Sequence, residues 1–428
     1  MLFDMGVLKS HAFSVPVISV GNITVGGTGK TPHVEHLLKL LLGIGKVAVL
    51  SRGYKRSTRG FVLADDTATA QTIGDEPMQL KEKFPNAIVA VDGDRVRGIN
   101  RLLKTIPDID VILLDDAFQH RYVKPGINIL LVDYHRLIIY DRLLPAGRLR
   151  EPLNGKNRAD MVIVTKCPKE LKPMDYRVIT RAMDLYPYQT LFFTTFDYSP
   201  LRPVFTSHGT NPTLETLSDY HILLLTGIAS PRHLKEDLER LSTLNPQQTG
   251  TESTPSSQKP ETSARPNGML AEPVGARNLK SQTSNLKPQT SNLKPQTSNL
   301  KPQTSNLKPQ ITTLSFSDHH RFRRKDVQRI NSMFEALPQP RCIITTEKDA
   351  TRLAIADGLA DDVKRNIFAL PVHVSFMLGQ EQTFNDNIIG YVRKNSRNSI
   401  LVRGKDDHKA QDSDSLRDRP RTISFRNN

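Results

Sequence analysis

The sequence predicts an α/β fold, a P-loop NTPase-like parallel sheet with flanking helices, plus a smaller second α/β lobe. Three observations predict it. A short apolar strand at 15–20 runs into a glycine-rich turn. An amphipathic helix follows that turn. Short, continuously apolar segments then recur along the chain, as expected of strands covered on both faces.

Each element has its own justification. Val34, Leu37, Leu38, Leu41 and Leu42 recur at i, i+3, i+4, i+7 and i+8, which predicts a helix over 33–42. A strand at 47–50 completes a β–loop–α–β crossover unit. Further strands are expected at 87–91, 111–114, 129–132 and 161–164. A second series comprises a strand at 221–226, a helix at 231–241, a strand at 311–316, a helix at 324–334 and strands at 342–345 and 367–374. The chain therefore divides into a P-loop-type domain over 1–215, a smaller second lobe over 216–380 and a largely disordered tail over 381–428.

The second lobe is interrupted. Residues 282–309 are four perfect copies of Gln-Thr-Ser-Asn-Leu-Lys-Pro. Each copy holds one Leu and one Pro, so a coiled-coil seam cannot form and a helix cannot propagate. With its Pro-, Ser-, Thr- and Gln-rich flanks, 246–310 reads as a disordered insertion.

That organisation decides how the charge is read. The 428 residues carry a net charge of +15. Residues 246–310 hold eight Lys/Arg against three Asp/Glu, and 391–428 hold ten against five. Two thirds of the excess thus lies in segments not expected to fold, and the chain has no Trp, which disfavours a nucleic-acid partner. Cys167 and Cys342 are too few for a disulfide framework or a Cys-rich metal site. No run of about 18 apolar residues exists to span a bilayer, and the start lacks a signal-peptide layout. These features suit a cytosolic protein, either free or peripheral to a membrane.

The turn after the first strand reads Gly21-Asn22-Ile23-Thr24-Val25-Gly26-Gly27-Thr28-Gly29-Lys30-Thr31-Pro32. Successive backbone N–H groups from Gly26, Gly27, Thr28 and Gly29 would surround the phosphates of ATP at a helix N-terminus. Lys30 would reach the β- and γ-phosphates, and Thr31 would place its hydroxyl on Mg²⁺. Thr24 stands where the strict pattern needs Gly. The loop instead has the form found in partitioning-type ATPases, whose usual Lys is replaced here by Val25. A nucleotide switch of that kind is the runner-up reading. A GTPase is disfavoured because Thr165-Lys166-Cys167-Pro168 lacks the Asp that reads guanine.

A strand ending in Asp115-Asp116 supplies carboxylates for Mg²⁺ beside such a loop, although a solvated strand end has the same look. Arg52, Lys55, Arg56 and Arg59 form a basic cluster after the second strand.

Taken together, the loop at 20–32, Ser51-Arg52-Gly53-Tyr54, Gly74-Asp75-Glu76-Pro77, Asp115-Asp116-x-Phe118-Gln119-His120, Leu144-Pro145-Ala146-Gly147-x-Leu149-Arg150-Glu151, Asp318-His319-His320 and Thr346-Glu347-Lys348-Asp349 resemble the tetraacyldisaccharide 4′-kinase (lipid A 4′-kinase) family. The resemblance runs from about 15 to 375 and excludes the insertion. It implies transfer of the ATP γ-phosphoryl group to the 4′-hydroxyl of a tetraacylated glucosamine disaccharide 1-phosphate, on the cytoplasmic face of the inner membrane. It further implies Asp75 as the base and His319, from the second lobe, as its partner. Catalysis would then depend on lobe closure. Asn22, Arg52 and Arg150 become candidate substrate or phosphate contacts. Asp75 could instead cap a helix, and His320 competes with His319. Members of that family carry an additional amphipathic stretch before the first strand, where this sequence has only 1–13; either a trimmed start or weakened membrane anchoring is expected.

Overall fold

The computed structural model describes Phe3 and residues 5–205, 212–227, 231–241, 309–318 and 320–396. Apart from Pro309 and Gln310, the expected insertion at 246–310 lies outside the described residues, as does everything after Ser396.

The first lobe follows the crossover logic of its opening. Strand β1 (Val17–Gly21) leads through the glycine-rich loop to α1 (Lys30–Leu41), then to β2 (Val47–Ser51), β3 (Val62–Leu63), α2 (Ala70–Ile73), α3 (Asp75–Lys83), β4 (Ile88–Val91), α4 (Arg95–Thr105), β5 (Val111–Asp115), β6 (Ile127–Asp133), β7 (Met161–Thr165), α5 (Pro173–Met183) and β8 (Thr190–Tyr198). The second lobe holds β9 (Arg202–Pro203), β10 (His221–Thr226), α6 (Pro231–Leu241), β11 (Gln310–Ser315), α7 (Arg324–Glu335), β12 (Arg341–Thr346), α8 (Glu347–Ala354), α9 (Asp361–Arg365) and β13 (Ile367–Leu370). The chain then returns as β14 (Val372–Phe376) and α10 (Glu381–Asn395).

Nine strands form the first sheet in the order β14-β8-β7-β6-β1-β5-β2-β4-β3, parallel except for its two edge strands. Alternation of side chains loads both faces. Ile18 and Val20 join one core with Leu37, Leu38 and Leu41 of α1, while Val17 points into another with Ile99 and Leu102 of α4. Farther along the sheet, Leu130, Val132 and Phe193 pack with Ile179 and Met183 of α5. The second sheet, β11-β10-β12-β13-β9, is likewise sandwiched, by α7 on one face and α6 on the other. β1 lies between β6 and β5, so the strand order reverses at the carboxyl end of β1. That crevice is where open α/β sheets bind ligands.

Two expectations are corrected. The strand expected over 367–374 is two strands in different sheets, because Pro371, with no N–H for a ladder, separates β13 from β14. The tail expected from 381 begins with α10. Phe384, Ile388 and Val392 lie one turn apart along one stripe and are buried against the first lobe's core. Burial of each such side chain contributes about 1.5–3 kcal/mol, enough to hold a helix that is otherwise polar.

The lobes meet along α3 and α8. Lys83 of α3 binds both Glu35 of α1 (2.6 Å) and Glu347 of α8 (3.1 Å). At the other end of the contact, Lys348 bonds Glu76 (3.1 Å) and Asp318 (3.2 Å).

Candidate active site

The loop after β1 is braced from several sides. Gly21 must be glycine, since a Cβ there would lie 2.7 Å from that of Phe118 at the end of β5. Gly29 sits at φ +79° as the N-cap of α1, and its Cβ would meet the Phe196 ring at 2.7 Å. It offers no side-chain cap, so the first-turn N–H groups of α1 receive no side-chain acceptor from that position. Thr28 is buried, accepting from the Asn22 amide (2.9 Å) through its hydroxyl and from the Thr165 hydroxyl (3.0 Å) through its carbonyl. Lys166 donates to the Gly27 carbonyl and to Asp133.

Asn22, expected to touch substrate or phosphate, is buried, and its amide donates to the Thr28 hydroxyl. His33, which the sequence did not single out, is a second brace. Its Nδ1 donates to the Gly29 carbonyl (2.7 Å), so Nε2 accepts from the Thr194 hydroxyl (3.1 Å) on β8. Burial lowers its pKa to about 4, and the ring stays neutral.

The carboxylates at the end of β5 lie beside the loop. Asp116, at φ +48°, has Oδ1 3.4 Å from Lys30 Nζ and Oδ2 3.9 Å from Arg150 Nη1. Asp115 is buried and accepts from the Ser51 hydroxyl (3.1 Å). Burial first, then the negative charges of Glu76 and Asp116, push its pKa up to about 7. Fully buried Arg95 bonds the Asp115 carbonyl (3.2 Å), and exposed Arg52 is close enough for its charge to act on Arg95. Glu76 is therefore a third acidic group facing this corner. It stands inside the Gly-Asp-Glu-Pro segment, so the signal was present, but only Asp75 drew attention there. Among the described residues, no three His, Cys, Asp or Glu side chains are already gathered as a metal cage.

Asp75 opens α3 after Gly74, which sits at φ +97° and where a Cβ would lie 3.2 Å from Gly53 Cα. Arg352 of the second lobe grips it, with Nε 2.9 Å and Nη2 2.7 Å from Oδ2. His319 lies outside the described residues. Its competitor His320 is occupied structurally, bonding Asp326 (2.9 Å) and stacking on Phe316 (centroids 4.7 Å apart). Tyr54, Lys55 and Asp75 from one lobe and Arg321, Phe322 and Arg352 from the other line a cleft between them. Of the basic cluster, Arg56 is spent on the carbonyls of Val91 and Gly60, whereas Lys55 lines this cleft.

A family profile described as tetraacyldisaccharide-1-P 4′-kinase matches residues 1–250 and 297–393. A tetraacyldisaccharide 4′-kinase of Phocaeicola vulgatus is 48% identical over 401 residues, 93% of this chain and 92% of that one. One from Bacteroides fragilis is 46% identical over 414 residues, covering 96% and 93%. Among solved structures, Aquifex aeolicus LpxK, described as an "apo" form in complex with ATP, superposes with a TM-score of 0.57 at 24% identity, over 91% of this chain and 92% of that one. That likeness shows the same fold. With relatives of this identity matched over almost the whole chain, the protein belongs to the tetraacyldisaccharide 4′-kinase family.

Proposed function

We propose that this chain transfers the γ-phosphoryl group of ATP to the 4′-hydroxyl of tetraacyl-glucosamine disaccharide 1-phosphate, a step of lipid A biosynthesis. The observation that carries the reading is Lys30, at the start of α1, set 3.4 Å from Asp116 at the end of β5. Family membership supplies the choice of acceptor, and the relatives bear the kinase name. No observation favours the nucleotide-switch alternative.

The loop from Gly26 to Gly29 would hold the phosphates by backbone N–H groups, with Lys30 on the β- and γ-phosphates. Asp75 would take the proton of the 4′-hydroxyl as that oxygen bonds to the γ-phosphorus and the bridging oxygen leaves with ADP. The acceptor would enter through the cleft between the lobes, where Lys55 and Arg321 offer positive charge to an anionic sugar phosphate. Arg150, 3.9 Å from Asp116 Oδ2, and Arg52, near Arg95, would meet phosphate oxygens.

The oxygen donors of Asp115, Asp116, Glu76 and Thr31 suit Mg²⁺. Asp116 Oδ1 is buried with no hydrogen-bond partner and only the Lys30 ammonium 3.4 Å away, and the Asp115 carboxyl is reluctant to ionise without a compensating charge. When bound, the ion would neutralise charge on the transferred phosphoryl group. Asp115 and Ser51 would orient the corner, and Lys30 would turn from Asp116 toward phosphate. The site of action would be the cytoplasmic face of the inner membrane, with peripheral attachment; among the described residues no helix is long and apolar enough to cross a membrane.

The test is an ATP assay with the tetraacyl disaccharide 1-phosphate in detergent micelles. A 4′-phosphorylated product is expected, and Lys30→Ala should lower kcat by about 100-fold or more, the effect of losing one donor to transition-state charge. Folded protein that makes no such product would refute the reading.

A further inference from the structure

We propose that Arg352 is a positioning residue that sets the Asp75 carboxylate for reaction from across the lobe interface, backed by Asp349. The inference rests on the reading of Asp75 as the proton acceptor. Both Arg352 contacts fall on one oxygen, Oδ2, at 2.9 and 2.7 Å. They hold that oxygen in place from two donors of one rigid group. A guanidinium does this because its donors diverge in a rigid plane; an ammonium brings the same charge without the fork.

Arg352 is itself fixed. Its Nη1 donates to Asp349 Oδ1 (2.9 Å), and fully buried Asp349 accepts the Gly227 N–H (2.8 Å) and the Thr346 hydroxyl (2.8 Å) on Oδ2. Thr346 is also the N-cap of α8, accepting from the Asp349 N–H. A Cβ on Gly227 would lie 2.8 Å from Asp349 Oδ1, so the backbone approaches the carboxylate as only glycine permits. A chain of contacts rooted in the second lobe's backbone thus ends on a side chain of the first lobe. With Arg352 only 5% exposed, its charge-assisted bonds are little weakened by solvent.

A plain clamp between lobes is the competing role, and the interface already has one. Lys83 with Glu347, and Lys348 with Glu76, hold α3 to α8. Arg352 both bonds Asp75 and lines the cleft.

The experiment uses the full chain and four variants: Arg352→Lys, the charge-balanced pair Arg352→Gln with Asp349→Asn, the clamp control Lys83→Met, and Asp75→Ala. Measured quantities are kcat, KM for ATP and for the micellar acceptor, and Tm. Arg352→Lys keeps Asp349 paired with a cation, so it should fold. Both Arg352 variants should lose about 100-fold in kcat, the cost of misplacing a reacting group by about 1 Å, with KM for ATP within about 3-fold of wild type. Lys83→Met should lower Tm and leave kcat. If Arg352→Lys keeps wild-type kcat, or if its kcat and Tm fall together while its KM for ATP rises well beyond 3-fold, the positioning role is overturned. Full activity in Asp75→Ala would remove the base reading and this inference with it. Loss of activity in Asp75→Ala with intact activity in both Arg352 variants would remove the inference alone.

Discussion

Asp115 shows how one side chain couples stability to chemistry. Its carboxyl is held at about 7, against 3.8 for the ordinary group, by burial and by Glu76 and Asp116. A folded-state pKa above the unfolded one means that the native protein keeps a proton the unfolded chain has lost. Its favourable contribution is whole below 3.8 and disappears as pH rises to about 7. In chelator, Asp115→Asn should therefore melt above wild type near neutrality, and the gap should close toward pH 4. Equal gaps at both pH values in thermal melts would refute this account. Mg²⁺ should raise the wild-type Tm more than that of the variant. The pairing of Asp115 with Asp116 was legible in the sequence because one strand end carries both. The partnership of Asp75 with Arg352 was not, since 277 residues separate them and only the packing of α3 on α8 joins them.

At the scale of elements, α10 is the clearest case of tertiary context deciding structure. Its stripe of Phe384, Ile388 and Val392 is visible in the sequence, but Asn and Asp within the stripe, with Gln before it and Arg and Lys after it, give the segment the look of a tail. Its supports are remote. The Tyr391 hydroxyl accepts the Val17 N–H (3.3 Å) and covers Gly126, where a Cβ would lie 1.9 Å from it. Phe192 and Phe376 pack edge-on and tilted against Phe384. Phe384→Ala should cost about 3–5 kcal/mol in chemical denaturation; a loss below about 1 kcal/mol would show that α10 contributes little. By contrast, α1 was legible because its apolar positions are contiguous in period, and most central strands because they are apolar throughout. Two-residue edges such as β3 and β9 carry no such signal.

Across the whole molecule, the family match passes over 251–296 while taking in both sides of that stretch. Deleting 251–296 should leave kcat within about 3-fold, because the cost of closing a loop grows only slowly with its length. A collapse of expression or activity would show that the segment supports the second lobe. The charge reading changes accordingly. Cations that bear on function, Lys30, Lys55, Arg52, Arg150, Arg321 and Arg352, are a few placed side chains, whereas much of the +15 comes from residues outside the described structure.

The return of the chain through Pro371 has a mechanical consequence. The second lobe leaves the first after β8 and comes back on β14, and these two strands are antiparallel neighbours paired over Thr194–Tyr198 and Val372–Phe376, with the Ser199 N–H on the Pro371 carbonyl just beyond. A body suspended from a single strand can spin about it. One hung from two strands laced side by side resists torsion and bends most easily across the ribbon's thin direction. The lobe is thus carried like a door on a strap hinge, and the Arg352–Asp75 contact is where the door meets its frame.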